Sequence, residues 1–410
     1  MSDKQTKSVV IGMTPKIESV VAAYLLKKNG YNCIGVSIIF LDEVKYSKED
    51  SPVFTDCHVR DLAKVKAICD HLKIQFYAAN AVDLYRDRVV EHVVVNRLNG
   101  QAISPCILCN RLKIEQLNAK ADLLHADYVA TGHYVKSIEN KQRQEFHLGA
   151  SGDLEYDQSY FFANLEQSLL KKLIFPLADM RKSDVDRIAR SIGLDHLIDI
   201  GQEKKGPKKK SCFYNNDFMP AFVEKRSPAS LRQRGGLIAY EGESFIAEHS
   251  GVHNYYVGQS RILAASKAVV DPSLEVIKML PTDKVVYLGS RDIFSYDYCL
   301  LTEFSFLSKT DCTRPMAVFA KFKQRGELVA CTLTLKNHSY VVLKFTQEYK
   351  GMIIPGTYAV IYDRMGSGAI LLGGGAVVQS GMMQVVDRVG NEDVDEDEID
   401  ESKKDFVFKF

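Results

Sequence analysis

The sequence predicts an α/β domain built on a parallel sheet, then a small central unit, then a C-terminal β-barrel. Three observations carry this reading. The first half alternates short apolar runs with stretches whose apolar residues recur every three or four positions, as strands and helices in turn would do. From about Phe213 the helical spacing fades and glycine turns multiply. From about 287 to 386 the chain alternates apolar and polar, as in Val329-Ala-Cys-Thr-Leu-Thr-Leu335, and reads as a small barrel.

Ser8-Val-Val-Ile-Gly12 is an expected buried strand. Residues 17–29 put Ile17, Val20, Val21 and Leu25 at helical spacing, with Gly30 as the terminator. Residues 32–40 form a second strand, and this β-loop-α-β opening starts a doubly wound sheet. Residues 59–72 and 84–98 read as helices flanking a strand at 74–79. Ser104-Pro-Cys-Ile-Leu-Cys-Asn-Arg111 reads as a loop before a helix at about 112–124, and 128–134 as a strand running into a loop. Ligands of parallel sheets gather at the carboxyl ends of the strands. The 13–16 loop, the cysteine segment and Gly132-His133 all fall there. Residues 136–148 suggest a polar hairpin, Asp157 a helix cap, and 177–193 another helical pass. The expected units are 1–200, 201–282, 283–388 and an acidic tail at 389–410.

With 410 residues, 46% hydrophobic, the chain can fill two or three cores. It has no apolar run long enough to span a bilayer, its N-terminus is polar, and its nine cysteines are scattered. A reducing cytoplasmic setting without a membrane is expected. Net charge is +1, but eight acids lie between Asn391 and Ser402; without those eight the remainder carries +9. A basic body attracts polyanions, and the tail reads as a solvated segment or as a competitor for the basic face.

Cys106 and Cys109, three apart, can serve a metal, an iron–sulfur cluster or a redox disulfide, or simply pack as small apolar groups. Cys212 adds a third thiol, preceded by Lys204, Lys205, Lys208, Lys209 and Lys210, which can grip phosphate or form a solvated loop. His133, a single histidine after a strand, reads as structural.

The order of several short segments resembles the bacterial tRNA-specific 2-thiouridylases. They are Gly12-Met13 with Ser19, Cys109-Asn-Arg111, Ala130-Thr-Gly-His-Tyr134, Asp157-Gln-Ser-Tyr-Phe161, Ser211-Cys-Phe213, Tyr256-Val-Gly-Gln259 and Leu372-Gly-Gly-Gly375. The resemblance implies a PP-loop ATPase-type (adenine nucleotide alpha hydrolase-like) first domain, a central domain that touches tRNA, and a barrel. It further implies ATP with magnesium, adenylation of the wobble uridine at C2, a persulfide on Cys212, and Cys109 as the thiol that attacks it. Nucleotide contacts would fall on Gly12, Met13, Thr14, Lys16, Glu18, Ser19 and Gly132. Contacts to tRNA would fall on Asp157, Gln158, Arg261 and the lysines before Cys212. A tRNA and a sulfur-donor protein are the implied partners; apart from that resemblance, the chain is expected to be a monomer.

Three departures stand out. Where the family reads Ser-Gly-Gly-x-Asp-Ser, this chain reads Thr14-Pro-Lys-Ile-Glu-Ser19, so both glycines are gone. The family's aspartate three before the first cysteine is Cys106 here; three thiols on Cys106, Cys109 and Cys212 suit a 4Fe–4S cluster with one open iron. Substrate-side positions also differ: Lys208-Lys-Lys-Ser211 stands before Cys212, Lys113 comes one place early, and Gly258-Gln-Ser-Arg261 has Ser for Arg. An enzyme is expected, with a tRNA-binding relative that has lost ATP use as the rival.

Overall fold

The computed structural model describes residues 6–41, 61–142, 144–194, 196–198, 219–232, 234–239, 242, 244–291, 294–307, 314–336 and 340–381. Cys212, the five lysines before it and the acidic tail lie outside the described residues.

The first domain contains β1 (Ser8–Gly12), α1 (Ile17–Lys28), β2 (Asn32–Ile39), α2 (Leu62–His71) and β3 (Gln75–Asn80). A helical run follows: α3 (Val82–Tyr85), a π turn (Arg86–Val90) and α4 (Glu91–Leu98), then α5 (Pro105–Leu123) and β4 (Tyr128–Ala130). Next come the hairpin β5 (Lys136–Asn140) and β6 (Glu145–Gly149), α6 (Gln167–Leu170), β7 (Leu173–Ile174) and α7 (Lys182–Ser191). The parallel sheet runs β3-β2-β1-β4-β7.

The continuous apolar run of β1 is explained by its central place. Val9 and Ile11 join a core with α1, α2 and α7, while Val10 joins the opposite core with α4 and α5. Side chains alternate across a strand, so a strand covered on both faces must be apolar throughout. Gly30 follows α1 at φ +83°, a conformation glycine adopts without penalty, and Tyr31 donates back to the Leu26 carbonyl.

The cysteine segment is not a loop. Pro105 occupies the first turn of α5, so the helix starts seven residues before the expected Leu112 and carries both thiols. Proline is favoured there because its missing N–H has no intrahelical partner to lose. The Asp157 segment forms a 3-10 turn, Ser159–Phe162, rather than an α-helix.

The central unit holds α8 (Met219–Arg226) and a four-stranded sheet of β8 (Gly235–Ala239), β9 (Phe245–His249), β10 (Glu275–Leu280) and β11 (Val285–Gly289), in the order β10-β11-β8-β9. Because β11 pairs with β8, this sheet runs to Gly289, past the expected boundary at 282. The barrel follows with β12 (Tyr296–Phe306), β13 (Met316–Lys321), β14 (Val329–Lys336), β15 (Tyr340–Tyr349), β16 (Tyr358–Tyr362) and β17 (Ile370–Gly381). Pairing of β12 with β17 closes the six strands. The hairpin of the first domain joins them, β6 lying against β17 with Leu148 opposite Leu371.

Candidate functional site

The start of α5 is held by the barrel. Ser104 precedes the helix, and its Oγ accepts from Tyr358 N at 3.1 Å instead of capping its own helix. Ala102 N donates to the Pro355 carbonyl at 3.0 Å, and Tyr160 Oη donates to the Tyr358 carbonyl at 2.9 Å. The segment from 102 to 104 is thereby clamped between the first domain and β16. Beyond it, Cys106 and Cys109 are half-buried, one helical turn apart. Asn110 Nδ2 donates to the Cys106 carbonyl at 2.8 Å, and Lys113 Nζ donates to Asn110 Oδ1 at 2.8 Å. The positive end of the helix dipole lies at this turn, a favourable place for negative charge.

The four other described cysteines differ. Cys33, Cys69, Cys299 and Cys331 are buried. Burial pushes the Cys33 thiol up to about 11 and those of Cys69 and Cys331 to about 12, and lifts Cys299 well above the ordinary value. They are packing groups.

The loop after β1 faces the same sheet edge. Met13 N donates to the Val36 carbonyl, Thr14 N to Ser19 Oγ at 3.1 Å and Lys16 N to Thr14 Oγ1 at 3.3 Å; Pro15 has no N–H. The Ser19 hydroxyl, 5% exposed, is in contact with the Thr14 and Lys16 carbonyls at 2.8 and 3.0 Å. A phosphate cradle needs several amides aimed at oxygens. Here every amide from 13 to 16 is spent or missing, which leaves the first amides of α1 and the Lys16 side chain as the groups that could face phosphate. Glu18 is paired with Lys182 at 3.3 Å. Burial opposes the Lys182 charge, but Glu18 and Asp186 outweigh it and hold its pKa above the usual value.

Gly132 lies directly over α1. A side-chain carbon there would sit 2.5 Å from the Glu18 carbonyl carbon and 2.7 Å from Ser19 N, so only glycine permits the approach. Next to it, His133 Nδ1 is 2.8 Å from Thr131 Oγ1. Burial, then the charges of Lys113 and Lys16, push its pKa well below the usual histidine value, leaving a neutral ring. Gln158 clasps this segment: its Oε1 accepts from Tyr134 N, and its own N–H donates to the Tyr134 carbonyl, both at 3.0 Å.

Asp157 departs from its expected role as a tRNA contact. It is 5% exposed, and its carboxylate accepts from Ser151 N, Ser159 N and Ser159 Oγ at 3.0, 3.3 and 2.8 Å, with Lys321 of the barrel at 3.9 Å. Ser159 Oγ is also 2.9 Å from Tyr362 Oη. The carboxylate is an internal joint between domain and barrel. Arg261 is exposed on the central unit.

Among the described residues no three metal-binding side chains gather. Cys106 and Cys109 therefore have no described third ligand for an iron–sulfur cluster. Sequence reasoning missed Ser104, Tyr160 and Tyr358, whose roles depend on contacts across the chain. It also missed Arg97, buried at the end of α4, which donates to the Tyr255 carbonyl at 3.5 Å and lies over the Tyr256 ring. Its burial lowers the guanidinium pKa to about 10.

Comparison with known proteins agrees with this architecture. The family described as tRNA methyl transferase HUP domain matches residues 7–214, and the aminomethyltransferase beta-barrel domain matches 296–377. The tRNA-specific 2-thiouridylase MnmA of Clostridium acetobutylicum is 30% identical over 375 residues, 90% of this chain and 99% of that protein. That of Clostridium kluyveri is 31% identical over 374 residues, again 90% and 99%. MnmA 1 of Thermoanaerobacter sp. strain X514 is 28% identical, covering 91% and 98%. With both domains matched in order and the two chains aligned nearly end to end, this chain belongs to the tRNA-specific 2-thiouridylase family.

Proposed function

We propose that the chain is a sulfurtransferase acting on tRNA, placing sulfur at C2 of the wobble uridine. The observation that supports this best is Cys109, half-exposed at the functional edge of the sheet while four other described cysteines are buried. A thiol is the side chain that carries transferable sulfur, and its thiolate is the reacting form. Cys212 would carry the incoming persulfide from a sulfur-donor protein, and Cys109 would attack it. Arg261 and the lysines at 204, 205, 208, 209 and 210 would hold tRNA phosphates. The chain would work as a monomer in the cytoplasm; among the described residues no helix is long and apolar enough to cross a membrane. The family resemblance calls for ATP with magnesium, which would turn the uridine oxygen into a leaving group; the first amides of α1 and Lys16 would hold its phosphates, since the 13–16 turn has no amide left to offer.

That turn favours a second reading: a tRNA-binding relative that has given up nucleotide use. The experiment is thiolation of unmodified tRNA with a persulfide donor, with and without ATP, read as retardation on a mercury gel, beside tRNA binding. Cys109→Ser and Cys212→Ser are each expected to abolish thiolation and leave tRNA affinity unchanged. If the unaltered protein binds tRNA yet transfers no sulfur under either condition, the second reading holds.

A further inference from the structure

We infer that Cys106 and Cys109 form a redox dithiol, closing a disulfide with each other when sulfur leaves Cys109. Three observations support the pairing. Both thiols lie on the first turns of α5, three residues apart, so they occupy one face. Cys106 lies inside a tightened turn at the helix start, Ile107 N donating to the Ser104 carbonyl at 3.1 Å, so the winding ahead of the pair is not yet regular. Helix starts also lack the full hydrogen-bond ladder, so a small adjustment there loses little. That matters because neighbouring helical Cβ atoms stand about 5–6 Å apart, whereas a disulfide draws them to roughly 3.5–4.5 Å. Third, both thiols are half-buried rather than enclosed, so thiol exchange can reach them. The Ser104, Tyr160 and Tyr358 contacts hold the chain just before the pair, so closure is local and leaves the helix axis in place.

The chemistry balances within the protein. Sulfur that reaches Cys109 forms Cys109 Sγ–SH. The Cys106 thiolate attacks Cys109 Sγ, the bond between that Sγ and the outer sulfur breaks, and hydrosulfide departs with the electron pair. The proton from the Cys106 thiol passes to solvent. The outer sulfur gains two electrons, and the two cysteine sulfurs lose two in becoming a disulfide. A small-molecule dithiol or protein dithiol reductant then restores the pair by exchange. The use of the released hydrosulfide rests on the sulfurtransferase reading; the disulfide itself does not.

The test begins without tRNA. Trypsin cleaves after Arg97 and Arg111, so one peptide, residues 98–111, carries both thiols and no other cysteine. The full chain is equilibrated in oxidised and reduced dithiothreitol mixtures, alkylated, digested and weighed. The peptide is expected to shift from doubly alkylated to unalkylated and lighter by two hydrogens as the mixture is made more oxidising, and Cys106→Ser to abolish the lighter form. A peptide that stays doubly alkylated throughout overturns the proposal, as does cross-linking of Cys109 to another peptide in its place.

A second measurement follows sulfide release from protein treated with inorganic polysulfide in a Cys212→Ser background. Release is expected to fall at least tenfold in both Cys106→Ser and Cys109→Ser. Undiminished release from Cys106→Ser overturns the resolving role. If the disulfide forms but tRNA is never thiolated, the sulfurtransferase reading fails and the dithiol stands.

Discussion

Replacing Asp157 with alanine distinguishes a buried joint from a tRNA contact. The substitution removes the acceptor of three hydrogen bonds, from Ser151 N, Ser159 N and Ser159 Oγ, and withdraws the carboxylate facing Lys321. Hydrogen bonds to a charged group contribute about 1.5–3 kcal/mol each, and breaking a buried ion pair on one side costs about 3–5 kcal/mol. These terms describe the same carboxylate and do not add, so a loss of about 3–5 kcal/mol is expected. Lys321 contributes to that loss: burial already lowers its pKa, and Asp157 is the group that opposes the lowering. At roughly 2–4 °C per kcal/mol for a large domain, the melting temperature should drop on the order of 10 °C. Asp157→Asn keeps an acceptor for the amides and should lose about 1–3 kcal/mol. Thermal and urea unfolding measure the effect, with tRNA binding assayed below the transition. An Asp157→Ala protein that melts like the parent but binds tRNA at least tenfold more weakly would refute the internal role.

Stability should fall on acidification through the histidine range. Burial is the leading cause that lowers the pKa of His133, His249 and His253 below 6.5. Above that value both states are neutral; below it the unfolded chain takes protons that the folded chain resists, at up to about 1.4 kcal/mol per pH unit for each ring. The urea midpoint should therefore be lower at about pH 5.5 than at about pH 7.5, and equal midpoints would count against it. In the loop after β1, the double change Pro15→Gly and Lys16→Gly restores flexible backbone and one amide donor. ATP binding by calorimetry should strengthen at least tenfold over the unaltered chain; equal affinity would show that the internal bonds of Thr14 and Ser19 are not what closes the site.

The alternating first half and the barrel strands were legible because burial leaves a periodic mark in sequence. The missing loop glycines were legible too, and Pro15 removes a donor wherever it stands. What escaped was set by partners distant in the chain. The start of α5 was placed at Leu112, where the amphipathic run begins, although Pro105 marks a helix entry; the barrel contacts to Ser104 carry no local signal. The tRNA contact at Asp157 came from the family resemblance, and that residue's burial depends on Lys321 and Tyr362, brought in by the barrel. The π turn at Arg86–Val90 left no recognisable mark in a run read as one helix.

The seam between β6 and β17 has a consequence for synthesis. Leu148 waits for Leu371, and until β17 leaves the ribosome the β6 edge has no native neighbour on that side. Pairings this distant in sequence form slowly, and an exposed edge invites another chain to add to it. The first domain can assemble its parallel sheet early, yet its hairpin stays an open template until β17 has been made. Truncations that remove the barrel should therefore yield aggregation rather than an isolated working domain.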